Sequence, residues 1–251
     1  MTNVLIAGES WITQSTHIKG MDSFTTHSYV EGVGPLRDAL TAAGHNVTYL
    51  PGHLVPTQFP ETAEALSEFD VIILSDIGAN SIQLSPSVFE KFQTGVDRLG
   101  VLADWVAAGG GFMMIGGYLS FTGFEAKAAF RQTRIAEVLP VEMLAEDDRA
   151  EFPGGVIARV DNAGHEVLAG ISGQWPALLG YNRTVARPEA EVLATVGEDP
   201  LVAVGTHGAG RTAVFTSDCS PHWAPPAFCE EWAGYGTLFG NLVEWLGRAR
   251  A

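Results

Sequence analysis

The stretch Gly109-Gly-Gly-Phe-Met-Met-Ile-Gly-Gly-Tyr-Leu-Ser-Phe-Thr-Gly-Phe124 decides the fold. Phe112 to Ile115 has the length and composition of a buried strand, and it ends in Gly116-Gly117. Such a strand-to-turn step lets the next side chain stand up at the carboxyl edge of a sheet, where open α/β proteins bind ligands. In hydrolase elbows the raised residue is a Ser or Cys nucleophile. Here it is Tyr118.

Working outward, the same pattern repeats on both sides. Asn3 to Ala7 reads as a first strand ending in Gly8, Asn46 to Leu50 as a second, and Val71 to Leu74 as a third. Between them, Val33 to Ala43 reads as a helix, with Leu36, Ala39, Leu40 and Ala43 on one stripe and Gly44 as its stop. Ala63 to Phe69 reads as a short helix. A long one is expected from Pro86 to Ala108, with Ser85 as N-cap. Alternating strands and helices predict an α/β fold, a parallel sheet covered on both faces.

Beyond residue 125 the pattern loosens. Ala126 to Val138 reads as a helix, and Val156 to Val160 and Glu191 to Val196 as strands. Leu201 to Val204 and Thr212 to Thr216 flank His207-Gly-Ala-Gly210, which signals a late hairpin. Leu238 to Arg248 closes the chain as an amphipathic helix. No repeat or linker divides the 251 residues, so one domain over 1–251 is expected.

Composition excludes several classes. With 29 acidic against 14 basic residues, a net charge of −15 and no Lys/Arg cluster, nucleic acid is not an expected partner. The apolar runs fall short of the roughly 20 residues a membrane span needs. The first residues, MTNVLIAGES, lack the basic start and long apolar stretch of a signal peptide. Cys219 and Cys229 are the only cysteines, too few for a disulfide framework, which fits the cytoplasm.

Four places are candidates for chemistry. The first is the polar segment Gly8 to His27, read as a long loop; it holds Glu9, Ser10, Trp11, His17, Lys19, Asp22 and His27. It reads either as a pocket wall or as a surface flap, and Glu9, immediately after the first strand, is its sharpest candidate. The second is Asp76 after the third strand, a ligand contact or a turn cap. The third is the Gly116-Gly117-Tyr118 turn. Its backbone N–H groups suit an anion, and its tyrosine suits a ligand contact better than a base, given an ordinary pKa near 10.

The fourth is Phe215-Thr-Ser-Asp-Cys-Ser-Pro-His-Trp223, which places Asp218, Cys219 and His222 after a strand. Cys and His three apart resemble half of a thiol–imidazole pair. They also resemble metal ligands, but a strong zinc signature needs a second pair, and none is present. No motif calls for a metal or a cofactor.

Together these residues resemble a known family. The GGG-strand-GG turn, the strand-SDCSPHW segment, the opening GESW…HIKGMDSFTTHSY, Gly180-Tyr-Asn182 and the closing WAGYGTLFGNLVEWL are similar to the class I glutamine-amidotransferase-like superfamily. Within it they resemble the bacterial family named putative glutamine amidotransferases, with trehalose-utilisation-like proteins as more distant relatives. The resemblance implies a flavodoxin-like three-layer α/β/α sandwich and a homo-oligomer.

Glutaminases of that superfamily carry a Cys at the elbow and a late His-x-Glu pair. Here the elbow carries Tyr118, and His222 is followed by Trp223 and Ala224. The leading expectation is therefore a protein without the usual glutaminase route. It would bind or transform a small polar metabolite of the carbohydrate-derived kind. Glu9 or His222 would be its acid/base and Tyr118 would orient the ligand; Ser10, Trp11, His17, Asp76, Gly117 and Asp218 would complete the binding walls. One alternative is an amidohydrolase or amidotransferase with Cys219 as nucleophile and His222 as base. Another is a metal-assisted hydrolase using His17, Asp22, Asp218 and His222.

Overall fold

The computed structural model describes residues 1–248. Its centre is a sheet of eight strands: β1 (Asn3–Gly8), β2 (Asn46–Pro51), β3 (Val71–Ser75), β4 (Gly111–Ile115), β5 (Arg159–Val160), β6 (Glu191–Val196), β7 (Asp199–His207) and β8 (Gly210–Phe215). They lie in the order β2-β1-β3-β4-β8-β7-β6-β5. The first five in that order are parallel and the last three join antiparallel, with β7 and β8 forming the expected late hairpin. The parallel half has the flavodoxin-like order, with its switch point between β1 and β3.

Buried strands divide their side chains between two cores. Val4, Ile6, Val71, Ile73, Met113 and Ile115 face one side, where α1 (Gly34–Ala42) packs through Leu36 and Leu40. The C-terminal helix, Gly234–Gly247, covers the same side through Leu238, Leu242 and Leu246. Leu5, Ala7, Ile72, Leu74, Phe112 and Met114 face the other, under Leu99, Leu102 and Trp105 of the helix Arg98–Ala107. This period of two, sandwiched between helices, explains why the strands read as unbroken apolar runs. Each fully buried side chain of this kind contributes about 1.5–3 kcal/mol.

Several sequence expectations change. The segment after Glu9 is not a loop but a β-hairpin, Ser10–Lys19 paired with Asp22–Glu31 in unbroken antiparallel register. Its two-residue turn puts Gly20 at φ 65°, which glycine adopts without strain. The expected helix Pro86–Ala108 is two pieces, Pro86–Phe89 and Arg98–Ala107. Phe92 at φ 54° breaks the run, and Asp97 restarts it by accepting the Gly100 N–H at 2.9 Å. Of Ala126–Val138, only Ile135–Val138 is an α-helix, because Ala126 and Ala129 take left-handed backbone.

Two short ribbons were not anticipated. Arg149–Val156 pairs with Leu178–Asn182, and Val141–Met143 with Thr184–Ala186. The expected strand Val156–Val160 is split between the first ribbon and β5. No helix among the described residues is long and apolar enough to cross a membrane.

Candidate functional site

Four strands of the parallel half deliver their last residues to one edge. Gly8 ends β1 at φ 107° and lies so close to β3 that a Cβ would sit 2.0 Å from the Ser75 carbonyl oxygen. Glu9 follows at φ 48°, and Asp76, directly after β3, at φ 41°. Left-handed backbone costs a non-glycine residue of order 1–3 kcal/mol and persists where surrounding structure imposes it. Here neighbouring strands impose it on two carboxylates at the switch point, the usual ligand position in this topology.

Glu9 is buried beneath the site. Ser75 Oγ donates to its Oε2 at 2.5 Å and Ser220 Oγ to its Oε1 at 2.7 Å. Burial raises its pKa to about 8, with Asp218 and Asp76 adding like-charge repulsion. Glu9 is therefore mainly protonated at neutral pH, and one of the two serine hydroxyls then accepts that proton instead of donating. Asp76 is raised to about 6, first by burial and then by Asp218; the Leu119 N–H donates to its Oδ1 at 2.7 Å and opposes the shift.

After β8 the chain turns through Asp218, Cys219 and Ser220. Asp218 Oδ2 lies 3.2 Å from His222 Nδ1, and Oδ1 accepts the Ser220 N–H at 3.2 Å. That hydrogen bond to Asp218 raises the His222 pKa against the opposing effect of burial. With Nδ1 engaged, Nε2 is the nitrogen left for a ligand. Carboxylate, imidazole and open nitrogen form the base-and-orienter arrangement used in proton transfer.

The elbow itself is built differently from a nucleophile turn. The strained residue is Gly117, at φ 146°, and a Cβ there would meet Asp76 at 2.8 Å. Tyr118 stands beyond it, its hydroxyl donating to Glu151 Oε1 at 3.0 Å and its ring lying edge-on to His222, 4.5 Å between centroids. The turn's amides are largely used within the protein. Gly117 N–H donates to Asn182 Oδ1, Leu119 N–H to Asp76 and Ser120 N–H to the Gly117 carbonyl. These three amides are engaged within the protein, which narrows the anion site expected at this turn.

These groups open onto a cavity of about 320 Å³ lined by Trp11, Asp76, Tyr118, Asp218, Ser220, Pro221 and His222. Of the residues singled out from sequence, the structure thus gathers Trp11, Asp76, Tyr118, Asp218 and His222 around the cavity, with Glu9, Gly117 and Cys219 packed against them. Ser10 sits at the hairpin root, its hydroxyl accepting the Gly52 N–H at 2.8 Å. His17 is elsewhere, stacked on Phe24 of the exposed hairpin and 3.2 Å from Thr26 Oγ1.

The thiol–imidazole alternative loses its pair. Cys219 Sγ is fully buried and its polar neighbours are Ser75 Oγ at 3.4 Å and Glu9 Oε2 at 3.6 Å, not His222. Burial and the adjacent acids push the thiol pKa well up, the reverse of what a thiolate nucleophile requires. The set His17, Asp22, Asp218 and His222 is likewise not assembled. Among the described residues the acidic or sulfur atoms close enough to share an ion belong to Glu9, Asp218 and Cys219. The carboxylate oxygens of this trio also join a hydrogen-bond network with Ser75, Ser220 and His222.

Several supporting residues escaped the sequence reading. Asp148, fully buried, accepts the Thr122 and Gly123 N–H groups and Asn182 Nδ2, tying the loop after Tyr118 to the ribbon. Glu151 joins Tyr118 to Trp223, whose Nε1 donates to it at 3.1 Å. The Arg149 guanidinium lies over the Tyr118 ring at 5.2 Å. The only signal for Asn182 was its place in Gly180-Tyr-Asn182; the charged run Asp147-Asp-Arg-Ala-Glu151 gave none.

Comparison with known proteins agrees with this architecture. The model of the family described as putative glutamine amidotransferase matches residues 3–248. The chain belongs to this family. The solved structure of Cytoplasmic Protein STM3548 from Salmonella typhimurium is 43% identical over 98% of this chain and 99% of that one, with a TM-score of 0.94. Cytoplasmic Protein STM1381 from Salmonella typhimurium LT2 is 45% identical over 97% and 99%, with a TM-score of 0.93. A ThuA-like protein from Bacteroides uniformis shares the fold at 14% identity, over 98% and 91%, with a TM-score of 0.57. Comparison with curated proteins finds no match.

Proposed function

We propose that this family member binds, and by proton transfer transforms, a small uncharged polar metabolite of the polyhydroxy, carbohydrate-derived kind, acting in the cytoplasm. The observation that carries the reading is the composition of the cavity. A carboxylate, Asp76, and an imidazole–carboxylate pair, His222–Asp218, face a space walled by Trp11 and Tyr118. Aromatic faces accept the apolar side of a sugar ring, and carboxylates accept its hydroxyl protons. Among the described residues no Lys or Arg lines the cavity, which argues against phosphorylated or carboxylate ligands.

In this reading His222 Nε2 takes a proton from the bound ligand, Asp218 steadies the imidazolium, and Asp76 accepts a ligand hydroxyl. Glu9 lies beneath as a neutral acid whose contacts hold Ser220 at the cavity wall. Glutamine hydrolysis by the usual route has no nucleophile here. Gly117 has no side chain, Tyr118 keeps its phenol protonated through burial and Glu151, and Cys219 is a buried thiol.

A thermal-shift screen tests the reading with neutral sugars and keto-sugars against sugar phosphates and amides. Stabilisation by a neutral polyol, lost in Asp76→Asn, supports it. Stabilisation by phosphates or by glutamine alone overturns it.

A further inference from the structure

The hairpin that follows Glu9 serves no purpose in the cavity beyond Trp11 at its root. Trp11 through Glu31 are all exposed, on both faces of the ribbon. Ten residues per strand make an arm about 33 Å long. It is anchored at its base, where Ser10 bonds Gly52 and Tyr29 packs edge-on to His53. A two-stranded ribbon is at best marginally stable in water and needs a third strand or a covering surface. Ile12, Ile18, Met21, Phe24 and Tyr29 are nonetheless exposed along it.

Its edges are also undefended. Natural edge strands discourage pairing with charges, prolines, bulges or short length. Trp11–Ile18 and Ser23–Val30 contain no Pro, Lys, Arg, Asp or Glu, and the register between them is unbroken. The guard is missing over eight residues on each strand.

We propose that the arm is a self-association element, in which arms of two copies of this chain pair edge to edge into one antiparallel sheet. Three observations favour a second copy as the occupant. Antiparallel pairing of one strand with its own copy is what a twofold axis generates, so a single edge suffices for both partners. Unguarded over eight residues, either edge is longer than a typical strand of about five or six residues, so one edge supplies a full strand pairing. Charge is the third. The chain carries −15, but Ser10–Glu31 contributes only −1, from Lys19, Asp22 and Glu31. Two such bodies repel, and the arm is the near-neutral surface through which they can meet. A basic partner would instead be drawn to the acidic body.

The test is light scattering of the full chain at micromolar concentration beside two variants. In one, Ser15–Thr26 is replaced by Asn-Gly, which recloses the ribbon between Gln14 and His27 and leaves the root in place. In the other, Thr13→Lys and Thr25→Lys place the usual edge guard on each strand at positions that do not face each other. The full chain is expected at twice the chain mass or an even multiple of it. Both variants should self-associate at least about tenfold more weakly with an unchanged melting transition of the body, consistent with the loss of one interface worth 1.4 kcal/mol or more. The lysines also reduce the net negative charge, so a merely electrostatic effect would strengthen association. Hydrogen exchange should show concentration-dependent protection in Trp11–Ile18 or Ser23–Val30. A monomeric full chain, an oligomer that survives shortening of the arm, or exchange unchanged by concentration overturns the proposal.

Discussion

Replacing Glu9 by Gln probes the buried acid directly, through the pH dependence of stability. In the folded chain Glu9 titrates near 8, against an ordinary value of 4.5. Between those values the unfolded chain has released this proton and the folded chain retains it. Stability therefore falls as pH rises from about 4.5 and levels off above about 8. One proton corresponds to about 1.4 kcal/mol per pH unit, so from pH 5 to pH 8 Glu9 alone removes on the order of 4 kcal/mol. Asp76 and His222 are also raised and act in the same direction, but they remain in the variant. Because Glu9 is neutral over this range, Gln leaves their surroundings nearly unchanged and can keep partners in the Ser75 and Ser220 hydroxyls. Urea unfolding at several pH values measures both proteins. The wild-type curve should descend more steeply than that of Glu9→Gln, and the gap between them should change by several kcal/mol. Parallel curves would refute the claim that a neutral carboxyl is buried under the site.

Other substitutions test the supports around it. Gly117→Ala forces a Cβ against Asp76 in left-handed backbone and should cost about 2–4 kcal/mol by denaturant titration; a neutral result would show that the elbow relaxes freely. Asp148→Ala leaves two buried N–H groups and the Asn182 amide without their acceptor, with an expected loss of about 3–5 kcal/mol. Asp76→Asn retains an oxygen for Leu119 N–H but cannot ionise. Calorimetry should show ligand affinity rising with pH through about 6 in the wild type, and binding weakened at every pH without that rise in the variant.

The parallel half of the fold was legible because strands buried on both faces leave continuous apolar runs such as Val71–Leu74, each closed by glycine or aspartate. That regularity also located the strand-end residues Asp76, Tyr118, Asp218 and His222 at the cavity. The hairpin was missed because it has no buried face to impose alternation. Its remaining signal was a run of Thr, Ile, Phe, Tyr and Val on either side of Gly20-Met21. The long helix was misread because its two pieces carry compatible apolar spacing across a break set by Phe92 and Asp97. Asp148, Glu151 and Asn182 reach the site through a short ribbon whose pairing is non-local, and neither periodicity nor spacing announces such a contact.

The central claim is that the site is a polar-ligand pocket without a glutaminase nucleophile. Its most direct test is the intact mass of the native protein after exposure to a glutamine-analogue electrophile at neutral pH. The expected result is an unmodified chain, with Cys219 labelled only after unfolding. A stoichiometric adduct on native protein, abolished by Cys219→Ala, would contradict the account.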